Sequence, residues 1–183
     1  MAITKINSNA ILDGTIATAD VADGAITSVK TTGVGGANTP YFLATLSGDQ
    51  DIGYTGNWTK IQMNSEIHDS AGAYDTSNYR FTPQTAGKYF VFSTLQFEAT
   101  ANSNQTPQYK SAIYKNGSTI GNAVMRGASN MRQFAVFFGR IINMNGSSDY
   151  LEAYGVADGT GAGSNRVAAG IASSSFGAYK IIE

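Results

Sequence analysis

The chain has 183 residues, of which 14% are charged, with a net charge near −1, 21 glycines and no cysteine. That length suffices for one domain with its own core plus an appendage. The charge balance excludes the basic footprint that nucleic acid requires and the polybasic patch that anionic lipid requires. Zero cysteine excludes disulfides as the source of stability without placing the compartment. No run of about 18 apolar residues exists, so no membrane insertion is expected. The opening stretch, M-A-I-T-K-I-N-S-N, lacks the apolar centre of a secretory signal.

Residues 1–30 contain a repeat of ten. Ile6, Ile16 and Ile26 align, as do Ile11 with Val21, Asp13 with Asp23, and Gly14 with Gly24. An apolar residue thus recurs every five positions, which is neither the strand period nor the helical one. So thin a unit cannot bury its apolar side alone. The plain alternative is a disordered leader. The sharper reading is a short stalk in which three chains wind together and bury Ile6, Ile11, Ile16, Val21 and Ile26. The stretch resembles the D-G-x-I repeats of bacteriophage tail-fibre and appendage proteins, which implies a virion-anchoring segment. T-G-V-G-G-A-N-T, ending at Thr39, reads as a flexible joint. We therefore divide the chain into a stalk, 1–36, and a head, 37–183.

The head reads as strands throughout. Tyr41–Leu46 is apolar and comes first. Residues 47–57 form a loop with three glycines, and 58–67 alternate as an edge or near-edge strand. Residues 69–80 are turn chemistry, Phe81 opens a short extended piece, and Pro83 removes a ladder donor. Lys88 to Ala99 is the central strand. Tyr89, Val91, Leu95 and Phe97 share one face, and Phe90 and Phe92 share the other. A half-buried strand is polar on its second face; this one is aromatic on both, so each face needs a cover. The polar stretch 101–108 reads as a loop. Asn116-Gly117, between 109–115 and 119–125, is the strongest hairpin signal in the chain. Residues 132–144 place Phe134, Val136 and Phe138 on one face and Ala135, Phe137 and Ile141 on the other. A turn at 145–148 leads to a strand at 150–156, residues 157–166 read as a Gly-rich loop, and 174–182 is the last strand. Eight to ten antiparallel strands result, the count of a jelly roll.

Chemistry is sparse. His68 stands beside Asp69 on a predicted turn, with no nucleophile nearby in sequence, and reads as a surface histidine. No G-x-S-x-G elbow and no H-E-x-x-H or Cys/His metal spacing occurs. The run from Asp158 to Gly163 lacks the Lys-Ser/Thr of a phosphate-cradling loop. No catalytic residue and no enzyme activity are expected. No cofactor is expected either. Calcium is the alternative that Asp49 with Asp51, or Asp69 with Asp75, would serve. The four N-x-S/T sites at Asn57, Asn104, Asn116 and Asn145 read as turn residues.

One spaced set of residues carries a family resemblance. Asp69, Tyr74, Phe81, Gly87 and Tyr89 stand in register, with Met63, Val91 and Ser93 where an aromatic, a Phe and a last aromatic complete the pattern. The set resembles the C1q-like domains of the complement C1q and tumour necrosis factor superfamily. That resemblance implies an all-β, antiparallel jelly-roll sandwich assembling as a homotrimer, with the sheet of strands 87–99, 132–144 and 174–182 facing the three-fold axis. On that analogy Phe90, Phe92, Phe137 and Tyr179 are the expected interface residues; filling of the protomer core is the plain alternative.

Together these readings give a non-enzymatic structural component of a bacteriophage virion: a fibre, spike or capsid appendage. Its partners are its own copies, other virion proteins through the N-terminal segment, and a host surface glycan or protein met by the head. The alternative is a bacterial surface or spore-coat C1q-like trimeric binding protein, which usually carries a G-X-Y stalk that this chain lacks.

Overall fold

The structure is a computed structural model that describes residues 16–22, 25, 38–53, 56–100, 105–127, 132–160 and 164–181. The chain divides into two units, Met1–Ala37 and Asn38–Glu183. In the first, a 3-10 turn spans Thr18–Asp20, and the Asp20 carboxylate accepts the Ala17 N–H at 2.9 Å. Ile16 is exposed and Val21 half-buried. The other three residues of the expected stalk seam, Ile6, Ile11 and Ile26, lie outside the described residues, as does most of the repeat.

The second unit is built from strands. In chain order they are β1 (Tyr41–Thr45), β2 (Gln50–Asp51), β3 (Thr59–Lys60), β4 (Ser65–Asp69), β5 (Tyr74–Asp75), β6 (Arg80–Phe81) and β7 (Gly87–Ala99). Then follow β8 (Gln105–Lys115), β9 (Ser118–Arg126), β10 (Gln133–Met144), β11 (Leu151–Thr160), β12 (Asn165–Val167) and β13 (Ser175–Lys180). Sheet A runs β2-β12-β7-β13-β1-β4, with β10 on the other edge of β7; sheet B runs β5-β6-β11-β8-β9, with β3 beside β11. Every pairing is antiparallel. The fold is an all-β jelly-roll sandwich.

Alternation in β7 decides which side chains fill the space between the sheets. Tyr89, Val91, Ser93, Leu95 and Phe97 are wholly buried. Phe97 stacks on Tyr109 of sheet B at 4.9 Å between ring centroids. Phe42 sits among Phe81 at 4.3 Å, Tyr74 at 4.7 Å and Phe176 at 4.9 Å. These rings tie β1, β5, β6 and β13 together, and burying each contributes about 1.5–3 kcal/mol.

The spaced motif of the sequence is structural. Asp69 accepts the N–H groups of Tyr74 at 2.7 Å and Ala71 at 3.1 Å, which closes the turn before β5. The buried Tyr74 hydroxyl donates to the Met63 carbonyl at 2.8 Å. Burial drives its pKa upward, so it stays a donor. The Tyr89 hydroxyl donates to Thr85 at 2.8 Å, and burial pushes its pKa up to about 12. Ser93, in place of the last aromatic, meets Ser111 of the facing sheet at 3.3 Å.

Several expected boundaries move. Residues 58–67 are not one strand: β3 belongs to sheet B and β4 to sheet A. Ile61 and Met63 are both buried where the chain crosses between the sheets, so their alternation marks a crossing. Residues 157–166 are not simply a loop. β11 continues to Thr160 along β8, and β12 joins β7 to β2. Ladder bonds to neighbours outweigh the weak strand preference of glycine there. For the same reason β2 forms inside the expected 47–57 loop, and β8 starts within the expected loop at 101–108. His68 lies in β4, not on a turn, opposite Leu43. The hairpin at Asn116-Gly117 is present, with φ of 53° and 77°, as a type I′ turn requires.

The outer face of sheet B carries a nearly buried charge. Glu152 on β11 is 2% exposed. Its Oε1 accepts Lys60 Nζ at 2.6 Å and Arg80 Nε at 2.7 Å. Burial pushes this carboxyl up, but the hydrogen bonds from Lys60 and Arg80 outweigh it and hold the group below its ordinary value of 4.5. A proton therefore binds more readily in the unfolded chain. The cluster stabilises the fold fully above the ordinary value, and that contribution is lost as pH falls below it. Glu152→Gln is expected to cost about 1–3 kcal/mol at neutral pH. The gap to the unaltered protein should narrow on acidification. Urea unfolding midpoints across this range measure it, and a gap independent of pH would contradict the assignment.

Candidate assembly face

The outer face of sheet A is set by the register of five strands. Phe90 on β7 stands opposite Ile141 on β10 and Tyr179 on β13, and Tyr179 stands opposite Tyr41 on β1. This makes one apolar row across the sheet. In the next row Phe92 lies between Gly139 and Gly177, and Leu43 and His68 continue it. A third row holds Thr94, Phe137 and Ser175. Cross-strand partners share a face, so the residues expected at an interface, Phe90, Phe92, Phe137 and Tyr179, are brought together on one surface.

Glycine shapes that surface. A Cβ at Gly177 would come within 2.6 Å of the Phe92 ring, and one at Gly139 within 2.9 Å of Phe137 and 3.1 Å of Phe90. The rings therefore lie down over the backbone instead of standing off it. Phe90 stacks with Phe92 at 6.2 Å and meets Tyr179 at 5.7 Å. The band is open: Phe137 is 56% exposed, Ile141 55%, Tyr41 43% and Tyr179 39%. Phe90 and Phe92 are half-buried. Polar residues bound it at both ends, Lys88 with Asn143 at one and Glu98 with Gln133 at the other. A rimmed apolar patch of this kind marks an interaction surface.

Ile141 and Tyr41 belong to the band and were not among the expected interface residues. Ile141 could have been found, because it has the parity of Phe137. Tyr41 joins only through its pairing with Tyr179.

The remaining candidates sit elsewhere. At the end of sheet A a cleft of about 390 Å³ is lined by Glu98, Arg132 and Arg166. Arg166 already pairs with Asp49 and Glu98, both at 2.8 Å. Of the carboxylates weighed for calcium, Asp49 also accepts the Ala169 N–H at 2.8 Å, Asp51 accepts Ser164 Oγ at 2.7 Å, and Asp75 accepts the Ser77 N–H at 2.8 Å. Among the described residues no three His, Asp or Glu gather as a metal site. Asn116 and Asn145 act in turns: Asn116 accepts the Tyr150 N–H at 2.9 Å, and Asn145 accepts those of Ser147, Ser148 and Asp149, each at 3.0 Å.

No family model and no curated protein matches the chain. Solved structures do match its fold. Eiger TNF from S. frugiperda has a TM-score of 0.56 at 9% identity, over 79% of this chain and 92% of that one. Murine APRIL at pH 5.0 gives 0.58 at 8% identity, over 78% and 98%. Murine APRIL at pH 8.5 gives 0.53 at 8%, over 77% and 99%. At such identity the likeness is one of fold.

Proposed function

We propose that this chain is a non-enzymatic structural component of a bacteriophage virion, a fibre, spike or capsid appendage. Its head assembles as a homotrimer through the outer face of sheet A. The open apolar band from Tyr41 to Ile141 carries the assembly reading. Seven large apolar side chains in adjoining rows gain by leaving water, at about 25 cal/mol per Å² buried, and the C1q-like resemblance implies three copies around the axis they face. The particle setting rests on the D-G-x-I repeat, which in this reading joins the head to other virion proteins and leaves the head free to meet a host surface.

Light scattering tests the assembly. The full chain and a head starting at Ala37 are both expected to have the mass of three chains. A trimer of the full chain alone would move assembly to the leader and refute the face. Monomers in both cases would refute the trimer. Mass spectrometry of purified particles tests the setting. Recovery from a bacterial surface or spore coat instead of phage would replace it with the bacterial alternative.

A further inference from the structure

On the outer face of sheet B, away from the assembly band, lies a cluster that neither the core nor that band uses. The Trp58 ring lies 6.0 Å from Tyr114, and Tyr114 lies 4.0 Å from Tyr154. All three are half-buried, and the outward-facing Ala112 and Val156 of the same sheet are buried. Glu152, opposite Tyr114 in register, adjoins the rings, with the Tyr154 hydroxyl 3.4 Å from Oε2. Arg80 donates Nε to Glu152 and lies 4.1 Å over the Tyr150 ring. Its terminal nitrogens make no hydrogen bond among the described residues. Lys60 and Arg80 stand against Glu152, and Asp75, opposite Arg80 in register, accepts the N–H and hydroxyl of Ser77.

A roof over Ala112 and Val156 needs only aliphatic side chains. Aromatic rings with polar tips, beside a guanidinium held in place from below, do more than that. We propose that this face binds an acidic oligosaccharide. The C–H face of a sugar ring lies on the aromatic row, where the negative π-face attracts the polarised C–H groups. The ring's anionic group, carboxylate or sulfate, meets the free donors of Arg80. This gives a place and a chemistry to the host-surface contact in the proposed function, and it rests on that reading for its biological setting.

Trp58 is the only tryptophan of the chain, so its fluorescence reports on this face directly. The full chain is titrated with oligogalacturonate, a heparin-derived oligosaccharide and a maltooligosaccharide. Saturable change is expected with the acidic sugars, and the tighter of the two identifies the anionic group. The neutral sugar is expected to bind at least about tenfold more weakly. Tyr114→Ala and Arg80→Gln, each checked for fold by circular dichroism, should each weaken acidic binding about tenfold. Phe92→Asp should leave it unchanged. No saturable response to any of the three sugars would overturn the site, as would equal binding of the neutral one or undiminished binding by both variants. Failure here with the chain found in phage particles would leave the proposed function standing without this site. Binding intact with the chain absent from particles would uphold the site and refute the setting.

Discussion

Phe92→Asp is expected to yield a folded, monomeric head. Phe92 stands mid-sheet, between Gly139 and Gly177, in the row next to that of Phe90 and Tyr179. In one protomer it is half-buried on an outer face, so an aspartate there reaches water and disturbs little of the core. In the proposed trimer the same carboxylate would be carried into an apolar band, with its symmetry copies close by. Each unpaired buried charge costs several kcal/mol, and like charges in one site raise the cost. Association should weaken by at least about a thousandfold, which corresponds to about 4 kcal/mol. Light scattering at a concentration where the unaltered protein is expected to be a trimer measures this, and circular dichroism shows that the fold persists. Phe92→Leu, which keeps the face apolar, should stay trimeric. A Phe92→Asp trimer would remove sheet A from the interface.

The parts of this fold written in the sequence are those that depend on local chemistry. Aromatic residues on both faces of β7 announce a central strand that needs a cover on each side, of which sheet B supplies one, and Asn116-Gly117 announces a hairpin, because each signal sits within a few neighbouring residues. Short strands such as β2, β3 and β12 carry no such signal. Two or three residues cannot establish a period, and they become strands only because a longer neighbour offers a ladder. Ile61 and Met63 alternate like a strand and yet mark a crossing between sheets, since both point into the core as the chain changes layer. The assembly band was half legible. The parity of β7 and β10 gives Phe90, Phe92 and Phe137, while the pairing of Tyr41 with Tyr179 exists only in three dimensions. The cluster around Glu152 was not legible at all. Trp58, Arg80, Tyr114 and Glu152 come from separate segments, and none carries a local signal that links it to the others. Only the register of β11 with β8 and the salt bridges to Glu152 join them.

Phe81→Ala is expected to cost about 3–5 kcal/mol of stability, and Phe137→Ala under about 1 kcal/mol in an isolated protomer. The contrast separates core from interface among residues of the same type. Phe81 is wholly buried, 4.3 Å from the Phe42 ring and 5.9 Å from Tyr89. It stands opposite Tyr74 on one side and Leu151 on the other. Its strand, β6, has two residues, so the ring and not the backbone ladder anchors this edge of sheet B. Alanine leaves a cavity among rings that Asp69 and the Tyr74 hydroxyl hold in place, and such a site collapses poorly. For a chain of this length the midpoint temperature should fall by roughly 10–15 °C. Phe137 is more than half exposed, so alanine opens no cavity there. In a trimer both effects would mix with assembly, because unfolding then depends on concentration. The comparison therefore belongs in the Phe92→Asp background, where one chain unfolds alone. There Phe81→Ala should lower the urea midpoint sharply and Phe137→Ala barely. In the unaltered background Phe137→Ala should weaken association instead. Equal losses from the two changes in the monomer would mean that Phe137 is a core residue, and that the band it belongs to is covered within a single chain.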